Sequence, residues 1–449
     1  MTRSSLNISD KLYWSIPSAN AAGQRDRYSQ NLVEVVFLTK VDVCVVGMGY
    51  IGLPTALVLA ESGSMVHGVD TNPQVVEKLR QGIPTFEEPG IEERLPSVVR
   101  DGKLTISQAP VAATTYIIAV PTPLVDGNHP DTAFIMSATK AIAHYLTPGA
   151  NVILESTSPI GSTEALADLV YEMREDLVAG DISFAHCPER VIPGQMLHEI
   201  RVNDRIVGGL LQGDAEKAAR LYRSFCEGNI HLTDARTAEM TKLAENAFRD
   251  VNIAFANELS ILAETLAVDV WTVIELANKH PRVNILQPGP GVGGHCIAVD
   301  PWFLVAASPS ESRLVRTARE VNDSKPEYVI QRIEREINGN HDATVALLGL
   351  SFKANVDDLR ESPAVEIARS FAAKNSHLTV HVVEPHVEKL PPALSECSNV
   401  SLVSLDGALD KSDVVALLVD HDEFREIPRR SLENKRIVDT RGLWQGLSK

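Results

Sequence analysis

The chain is poor in positive charge, in aromatic residues and in long apolar runs. It has 42 Lys and Arg against 59 Asp and Glu, a formal net charge of −17, and 5% aromatic residues over 449 positions. Such a charge repels nucleic acid and anionic membrane surfaces, so neither is expected as a general partner. Because no apolar run reaches the roughly 18 residues that a transmembrane helix needs, no membrane span is expected.

Cysteine is also scarce, with five residues at positions 44, 187, 226, 296 and 397. The number is odd and the spacing matches no zinc motif, so we expect neither a disulfide framework nor a metal site. Scattered thiols suit a reducing compartment, and a cytoplasmic location is expected. The remaining composition, 44% hydrophobic and 22% charged, is typical of a globular protein, and the length predicts more than one domain.

Residues 1–38 carry neither the hydrophobic segment of a signal peptide nor a helical or strand periodicity. We interpret them as a loose extension without catalytic residues. Regular patterns begin near Val41, where a β-rich run, a glycine turn, a helical pattern and a second strand follow one another.

The glycine turn predicts a dinucleotide site. Its predicted cofactor-binding residues are Gly47, Gly49, Tyr50, Ile51, Gly52 and, 18 residues beyond the last glycine, Asp70. The G-x-G-x-x-G spacing lets the backbone approach a pyrophosphate at the positive end of a helix. An acidic residue at this distance accepts a hydrogen bond from a ribose 2′-hydroxyl and repels a 2′-phosphate, which favours NAD over NADP. On the motif alone, a tight βα turn without a ligand is the alternative.

Strand patterns alternate with helical stretches along most of the chain. They occur at 115–123, 151–157, 182–190, 204–209 and 229–234, and again at 343–352, 379–385, 414–420 and 436–440. The alternation predicts an α/β fold with two Rossmann-like, doubly wound domains joined by a central long-helix domain. Ligands of such sheets bind beyond the carboxyl ends of the strands. Thr122, Thr157 and Glu189 lie at such ends, although each is also explained as a helix cap or turn residue.

The segment between the two α/β units has a long helical pattern and one unusual cysteine. In the helix predicted over 237–268, Lys242, Asn246 and Arg249 share one face because they are spaced by four and three residues. That face is either a solvated polar surface or a binding surface. Cys296 lies in "GPGVGGHCIAVDP", where little side-chain bulk can shield its sulfur, with Asp300 four residues on. It is a candidate nucleophile, and an inert cysteine in a turn is the alternative.

From Val41 onward the sequence resembles the UDP-glucose/GDP-mannose dehydrogenase family. Eight motifs in the family's order carry the resemblance: "GMGYIGLP", "PTP", "ILESTSPIGSTE", "CPERVIPGQ", "EMTKLAENAFRDVNIAFANELS", "HPRVNILQPGPGVGGHCIAVDPWF", "LGLSFKANVDDLRESPA" and "DTRG". The resemblance implies NAD-dependent, two-step oxidation of a UDP-sugar at C6 to a carboxylate. Cys296 matches the nucleophile, which forms a thiohemiacetal and then a thioester. The glycines around it would admit nicotinamide and sugar, and nearby backbone N–H groups would either lower its pKa or hold the developing oxyanion.

The motifs imply further catalytic roles. Lys242 and Asn246 match groups that stabilise charge on the C6 oxygen, and Asp300 matches a carboxylate that positions a water or the Lys242 ammonium. Glu189 matches the acid/base group of thioester hydrolysis, and Thr157 matches a residue that binds that water and the nicotinamide side.

Binding residues are implied in the same way. The cofactor would also contact Thr122, Thr157 and Arg360. The implied substrate contacts are Arg190, Val191, Lys242, Asn246, Arg249, His280, Arg282, Gly293, Phe352, Lys353 and Arg441. Their cations would supply the local positive charge that a pyrophosphate needs in an acidic protein.

The resemblance also implies how the chain is divided and assembled. The expected parts are a loose extension (1–38), an NAD-binding domain (39–235), a central helical domain with the cysteine segment (236–328) and a nucleotide-sugar-binding domain (329–449). The long helix would form a homodimer or a higher homo-oligomer, which would bring His280 and Arg282 near the neighbour's substrate.

The resemblance implies several candidate sugars. The sequence most resembles the branch of the family that oxidises UDP-N-acetyl-D-mannosamine, and UDP-N-acetylglucosamine, UDP-glucose and GDP-mannose are alternatives. A nucleotide-sugar binding protein without catalysis is more remote, because Cys296, Lys242, Asn246 and Asp300 are all present. A one-step hydroxyacid dehydrogenase would share the domain layout but would not need the cysteine segment.

Overall fold

The structure, a computed structural model, describes residues 40–125, 127–294 and 296–445. The extension expected at 1–38 lies outside these ranges. The strands are β1 (Val41–Val46), β2 (Val66–Val69), β3 (Leu104–Ser107), β4 (Ala113–Ile118), β5 (Leu124–Val125), β6 (His129–Pro130), β7 (Asn151–Leu154), β8 (Ser183–His186), β9 (Arg205–Gly209), β10 (Ile230–Asp234), β11 (Thr344–Leu348), β12 (Thr379–Val383), β13 (Val400–Leu402), β14 (Val414–Leu417) and β15 (Arg436–Asp439).

The helices alternate with these strands. They are α1 (Gly52–Glu61), α2 (Pro73–Arg80), α3 (Ile91–Arg100), α4 (Ala133–Ala143), α5 (Ser162–Met173), α6 (Met196–Val202), α7 (Asp214–Tyr222), α8 (Ala235–Thr265), α9 (Val270–Ala277), α10 (Asp300–Ala307), α11 (Arg313–Ile337), α12 (Pro363–Lys374), α13 (Pro392–Ser395), α14 (Leu405–Lys411) and α15 (Asp422–Arg425), with a 3-10 turn at Arg429–Ser431.

The first sheet has eight strands in the order β10-β9-β8-β7-β4-β1-β2-β3. Every pairing is parallel except β8 with β9. The apolar run of β1 is buried on both faces: Val43 and Val45 pack in one core cluster, and Cys44 and Val46 pack in the other. Because the strand order reverses between β1 and β4, the loops that follow these strands diverge and open a crevice where dinucleotides bind in such sheets.

The second sheet has five parallel strands in the order β13-β12-β11-β14-β15. Here the order reverses between β11 and β14, so this sheet repeats the topology of the first on a smaller scale. Strand β11 ends at Leu348, before the expected end at 352, because Gly349 adopts a φ of +91°. These two doubly wound sheets confirm the expected α/β fold class.

Two long helices connect the sheets. Helix α8 covers 31 residues, close to the predicted 237–268, and begins where the Asp234 side chain accepts a hydrogen bond from the Thr237 N–H. Helix α11 packs along α8 and continues to Ile337, so the boundary expected between 328 and 329 lies inside a helix. No helix in the described ranges is both long and apolar enough to cross a membrane.

Candidate active site

The glycine turn after β1 leaves space where a dinucleotide would lie. Gly47 has a φ of +97°, and a Cβ there would lie 2.3 Å from the Ala119 carbonyl oxygen. A Cβ on Gly52 would lie 1.8 Å from the Gly47 carbonyl oxygen, so α1 starts tightly against the turn. A Cβ on Gly49 would meet no heavy atom within 4 Å. The first and third glycines therefore allow the turn itself to form, and Gly49 keeps its outer side open for a pyrophosphate, which fits NAD.

Asp70 follows β2 at the same edge of the sheet. Its Oδ2 accepts a hydrogen bond from the Met48 N–H at 3.1 Å, and its Oδ1 accepts one from the Asn72 N–H at 2.9 Å. The carboxylate is thus held beside the glycine turn, where the sequence places the acceptor for a ribose hydroxyl.

Thr122 and Thr157 come together at the ends of β4 and β7. The Thr122 hydroxyl donates a hydrogen bond to the Thr157 carbonyl oxygen at 2.5 Å. Next to this pair, the Val120 N–H donates to the Ser156 hydroxyl at 2.9 Å. Both threonines are half-buried, so they line the edge of the crevice that the glycine turn also faces.

Cys296 is exposed and lies four residues before the start of α10. The carbonyl oxygen of Cys296 accepts hydrogen bonds from the N–H groups of Val299 and Asp300, at 3.1 and 2.8 Å, which form a turn that leads into the helix. The side chain therefore reaches solvent from a fixed backbone. We call residues 289–299 the Cys296 loop; His295, within it, lies outside the described residues.

Asp300, Asn246 and Lys242 form a buried polar group beside this cysteine. The Asn246 side-chain N–H donates to Asp300 Oδ2 at 2.5 Å, which joins α8 to α10. The three side chains are 8%, 3% and 9% exposed for Asn246, Asp300 and Lys242. Burial raises the pKa of Asp300 to about 6, opposed by the Lys242 charge and by the Asn246 hydrogen bond. No hydrogen bond joins Lys242 to another described side chain, so its amine is available to a ligand.

The expectation that the Cys296 thiol has a lowered pKa is wrong for the ligand-free chain. Although the residue is exposed, desolvation of the sulfur by surrounding protein atoms is the largest effect and raises the thiol pKa. The Asp300 carboxylate raises it further. The charges of Lys242, Arg249 and Arg360 oppose this shift without cancelling it. Three cations thus act on one accessible sulfur, but desolvation and the Asp300 carboxylate together outweigh them and raise the thiol pKa.

The glycines of the Cys296 loop are explained by packing against the C-terminal unit. A Cβ on Gly293 would lie 2.5 Å from the Glu361 carbonyl oxygen, and a Cβ on Gly294 would lie 3.2 Å from the Phe352 ring. At the start of the loop, a Cβ on Gly289 would lie 2.7 Å from Arg441 Nη1. From the sequence, we expected these glycines to make room for the cofactor and the sugar. In the structure, they make room for residues of the second α/β unit.

That contact also gathers the substrate-binding residues expected in the C-terminal unit. Phe352 and Lys353 follow β11, and Arg441 follows β15, so all three lie at the carboxyl edge of the second sheet. Arg441 Nε donates to Asp420 Oδ1 at 2.8 Å. The Lys353 side chain is exposed. The Cys296 loop therefore lies directly against the residues for which a nucleotide sugar was expected.

Arg360 bridges the two α/β units through an aromatic stack. Its guanidinium carbon lies 4.4 Å from the centre of the Tyr50 ring, and Tyr50 stacks on Phe86 at 4.2 Å. Its Nη2 also contacts Asp358 Oδ2 at 2.6 Å. Because Tyr50 belongs to the glycine turn, with Ile51 between it and α1, Arg360 reaches the predicted cofactor site.

Glu189 is held by a residue that the sequence analysis did not identify. Arg205, at the start of β9, donates from Nη2 to Glu189 Oε2 at 2.9 Å, and both side chains are buried. The other Glu189 oxygen accepts from the Arg190 N–H at 2.7 Å. No described contact joins Glu189 to Cys296. The one signal in the sequence was an arginine at the head of an apolar strand, "DRIVGG".

Arg205 is also surrounded by further buried groups. Its guanidinium lies 4.8 Å from the centre of the Tyr222 ring, and the Tyr222 hydroxyl donates to Glu155 Oε1 at 2.7 Å. Burial raises the pKa of Glu155 to about 7 and that of Cys187 to about 12. Cys187 is therefore an inert packing residue, and Arg205 connects this cluster to Glu189.

The remaining expected substrate residues lie on the outside of this region. Arg190 pairs with Glu245 of α8 at 2.6 Å, and Val191 is half-buried against the first core. Arg249 is exposed on α8. His280 and Arg282 are exposed in the segment after α9, where the Arg282 N–H donates to His280 Nδ1 at 3.3 Å.

One cluster elsewhere has the composition of a metal site. Glu384, His386 and His421 lie at the carboxyl edge of the second sheet. His421 Nδ1 accepts the Asn355 N–H at 3.0 Å, so its Nε2 carries the proton and donates to Glu384 Oε2 at 3.2 Å. Because neither ring nitrogen of His421 then has a free lone pair, these contacts fix the Asn355 backbone and do not fit a metal ion.

The chain matches three sequence profiles of one family. The UDP-glucose/GDP-mannose dehydrogenase family's NAD binding domain matches residues 41–226, its central domain residues 236–324, and its UDP binding domain residues 346–446. These matches cover most of both sheets and most of the helices between them, with β10 outside the matched ranges.

Relatives match over almost their full length. The chain is 51% identical over 409 residues to the NDP-N-acetyl-D-galactosaminuronic acid dehydrogenase of Ralstonia nicotianae, covering 90% of this chain and 96% of that one. It is 52% identical over 393 residues to the UDP-N-acetyl-D-mannosamine dehydrogenase of Campylobacter jejuni, covering 86% and 96%. The solved UDP-D-ManNAc dehydrogenase of Pyrococcus horikoshii superimposes with a TM-score of 0.82 at 36% identity, covering 90% and 96%. The chain therefore belongs to the UDP-glucose/GDP-mannose dehydrogenase family and is an NAD-dependent UDP-sugar dehydrogenase.

Proposed function

We propose that the protein oxidises C6 of UDP-N-acetyl-D-mannosamine to a carboxylate in two successive oxidations, through a thioester on Cys296. The observation that carries this proposal is the meeting of an exposed thiol with Lys242, Asn246 and Asp300 where the glycine turn and the C-terminal unit approach each other. A one-step alcohol dehydrogenase has no need of an accessible sulfur at that position. The names of the Campylobacter and Pyrococcus relatives support mannosamine as the sugar.

Each residue can then be given a chemical role. When bound, NAD⁺ accepts a hydride from C6 in each oxidation. The Lys242 ammonium and the Asn246 amide hold the C6 oxygen while it loses its proton and becomes the aldehyde oxygen. The Cys296 sulfur then bonds to the aldehyde carbon, and the oxygen takes up a proton to give a thiohemiacetal. Loss of that proton and of the second hydride leaves a thioester.

Hydrolysis returns the enzyme to its starting state. A water attacks the thioester carbon, the C–S bond breaks, and the sulfur leaves to give the free thiol and the sugar carboxylate. We propose Glu189, held by Arg205, as the group that takes the proton from this water, with Thr157 binding it. Asp300, whose pKa is raised to about 6, can take and return a proton beside Lys242 near neutral pH.

The raised pKa of the Cys296 thiol lowers its reactivity towards oxidants and other electrophiles. Any ligand that neutralises Asp300, or that turns Lys242 towards the sulfur, would shift the balance towards the thiolate.

We assign the parts of the chain accordingly. Residues 39–235 would hold NAD, 236–328 would carry the Cys296 loop and the helix of the dimer, and 329–449 would bind the UDP-sugar through Phe352, Lys353 and Arg441. The positions matched by the three family profiles support this division. A cytoplasmic location fits the free cysteines of the described chain.

We also propose that the protein forms a homodimer through α8. Met240, Phe248, Phe255 and Leu262 repeat every seven or eight residues on one face of the helix and are 54%, 70%, 53% and 48% exposed. An apolar stripe of this kind marks a protein interface. Exposed His280 and Arg282 would then be available to the partner's substrate. Sedimentation of the wild type and of Phe248→Asp tests this, and a wild type that sediments as a monomer would exclude it.

A panel of five substrates tests the reaction. NADH formed per sugar consumed is measured with UDP-N-acetylmannosamine, UDP-N-acetylgalactosamine, UDP-N-acetylglucosamine, UDP-glucose and GDP-mannose. Two NADH per UDP-N-acetylmannosamine are expected, and no activity with this sugar would reject it as the substrate. UDP-N-acetylgalactosamine is the second candidate, because the name of the Ralstonia relative gives an NDP-linked N-acetyl-D-galactosaminuronic acid, the corresponding uronic acid.

Two serine variants test the thioester. Cys296→Ser should bind NAD and sugar nucleotide yet fail to complete four-electron turnover. Cys397→Ser is the matched control, since Cys397 is a half-buried cysteine packed against the core of the second sheet and should tolerate the change. Full turnover by Cys296→Ser would reject the covalent route.

A further inference from the structure

Four fully buried polar side chains line the contact between α8 and α11. They are Asp250 and Asn257 on α8, and Arg319 and Asn322 on α11, each at most 1% exposed. We call them the polar seam. Polar groups in a helix contact cost free energy unless every partner is present, and apolar residues of similar size would pack at least as well. Packing of α8 against α11 therefore does not by itself explain why four polar side chains are buried at this contact.

In the polar seam, hydrogen bonds are donated from Asn257 to Asn322 and from Asn322 to Asp250. Asp250 Oδ1 accepts from Arg319 Nη1 at 2.6 Å and from Asn322 Nδ2 at 2.8 Å. Asn322 Oδ1 accepts from Asn257 Nδ2 at 2.8 Å. Because Asn322 uses its NH₂ group on Asp250, only its oxygen faces Asn257, and the orientation of each amide follows from the one before it.

The series ends on the backbone of the Cys296 loop. Asn257 Oδ1 accepts the N–H of Gly289 at 2.9 Å. An N–H group can only donate, so the Asn257 amide is fixed from both sides and cannot turn over without losing two bonds. Gly289 is the first residue of the Cys296 loop, which makes this bond the anchor of the loop on α8.

Beyond Gly289, the described glycines of the loop fit closely against neighbouring atoms. A Cβ on Gly291 would lie 2.9 Å from Pro363 Cβ, and one on Gly293 would lie 2.5 Å from the Glu361 carbonyl oxygen. A segment that fills its space this closely transmits a shift at one end to the other. A movement of Gly289 would therefore change the position of Cys296.

Helix α8 carries both the anchor and the groups that act on the sulfur. Asn257 lies 11 residues beyond Asn246 and 15 beyond Lys242 on the same 31-residue helix. We propose that Asn257 is a positioning residue: through its bond to Gly289 it sets the Cys296 loop against Lys242 and Asn246. The proposal rests on the role of Cys296 as the nucleophile.

Two alanine variants from the same seam test the proposal. Asn257→Ala removes the bond to Gly289. Asn322→Ala is the matched control, since it disrupts the seam but leaves the Asn257 to Gly289 bond intact. Both should lower the melting temperature. Only Asn257→Ala should lower kcat, by tenfold or more with the KM for NAD within twofold, and Asn322→Ala should keep kcat within threefold.

Alkylation of the thiol by iodoacetamide gives a second readout. At its native position the thiol pKa is raised by desolvation and by Asp300, against the smaller effects of Lys242 and Arg249. A displaced sulfur should therefore form more thiolate and react at least threefold faster in Asn257→Ala than in Asn322→Ala. Equal alkylation rates in the two variants, or losses of kcat that follow the melting temperatures of both, would overturn the proposal. This measurement needs no substrate, so it decides the positioning role even if no sugar nucleotide is oxidised.

A third variant covers the case in which Asn257→Ala does not fold. Asn257→Asp keeps an oxygen acceptor for the Gly289 N–H and loses only the donor to Asn322. Its alkylation rate should stay within twofold of that of the wild type. A rate tenfold higher would show that the bond to Gly289 is not what fixes the thiol.

Discussion

Replacing Gly49 with alanine should weaken NAD binding and spare the fold, whereas the same change at Gly52 should damage the fold. A Cβ at Gly49 meets no heavy atom within 4 Å, and its φ lies outside the left-handed region. A Cβ at Gly52 would lie 1.8 Å from the Gly47 carbonyl oxygen, where ordinary contacts begin at 3.4 Å. The helix α1 would have to move by about half of that normal distance to admit it.

The magnitudes follow from these contacts. An alanine that fits its backbone stabilises a chain by about 0.4–1 kcal/mol through the unfolded state, so Gly49→Ala should hold or slightly raise the melting temperature. Overpacking costs about 1–3 kcal/mol, and a domain of this size loses about 2–4 °C for each kcal/mol. The methyl group of Gly49→Ala would occupy the space of the pyrophosphate, and we expect the Kd for NAD to rise at least tenfold, about 1.4 kcal/mol.

Calorimetric titration with NAD and thermal denaturation of the two variants separate these effects. The reasoning would be refuted if Gly49→Ala bound NAD within twofold of the wild type. It would also be refuted if Gly49→Ala lost as much stability as Gly52→Ala, because of these two positions only Gly52 would bring an added Cβ into contact with the chain.

Three further predictions concern the buried charges. Asp300→Asn should lower the pKa of the Cys296 thiol, because the Asp300 carboxylate raises it. The pH dependence of iodoacetamide alkylation measures this pKa. An unchanged value would contradict the effect assigned to Asp300. Burial raises the pKa of Glu155 from 4.5 to about 7, so the folded chain keeps a proton that the unfolded chain releases. Relative to Glu155→Gln, wild-type stability should therefore fall by roughly 3 kcal/mol as the pH rises from 4.5 through 7, and urea denaturation at pH 5 and 8 should show it; an equal difference at both pH values would rule it out. Arg205→Met should cost about 3–5 kcal/mol, because it leaves Glu189 buried without its cation. Adding Glu189→Gln should recover part of this loss, whereas simple additivity in urea denaturation would show that the pair is not coupled.

The regular elements follow from local pattern. Strand β1 and helix α8 were predicted within a few residues. A buried strand appears in the sequence as a short apolar run, and a helix with one apolar face appears as apolar residues repeated every three or four positions. Strands β3 and β13 were not predicted, since they are four and three residues long and partly exposed. Several expected strands were too long at their carboxyl ends, where an apolar run continues into the loop that carries the site.

The candidate site was predicted as a set of residues, and its connections were not. The motif placed Cys296 and Asp300 four residues apart, and helical spacing placed Lys242 and Asn246 on one face. The hydrogen bond from Asn246 to Asp300 joins positions 54 residues apart, and no local pattern encodes that distance. The same holds for Arg205 with Glu189 and for Asn257 with Gly289.

By itself, the sequence determined the α/β class, the glycine turn, the long helix and the one cysteine free of bulky neighbours, because each depends on residues close together in the chain. Only the tertiary structure decided which unit the loop glycines pack against, which cation holds Glu189, and that the thiol pKa is raised. Those properties depend on burial and on charges brought together from distant parts of the chain. Desolvation and Coulomb energies depend on distances in space, which the order of residues does not state.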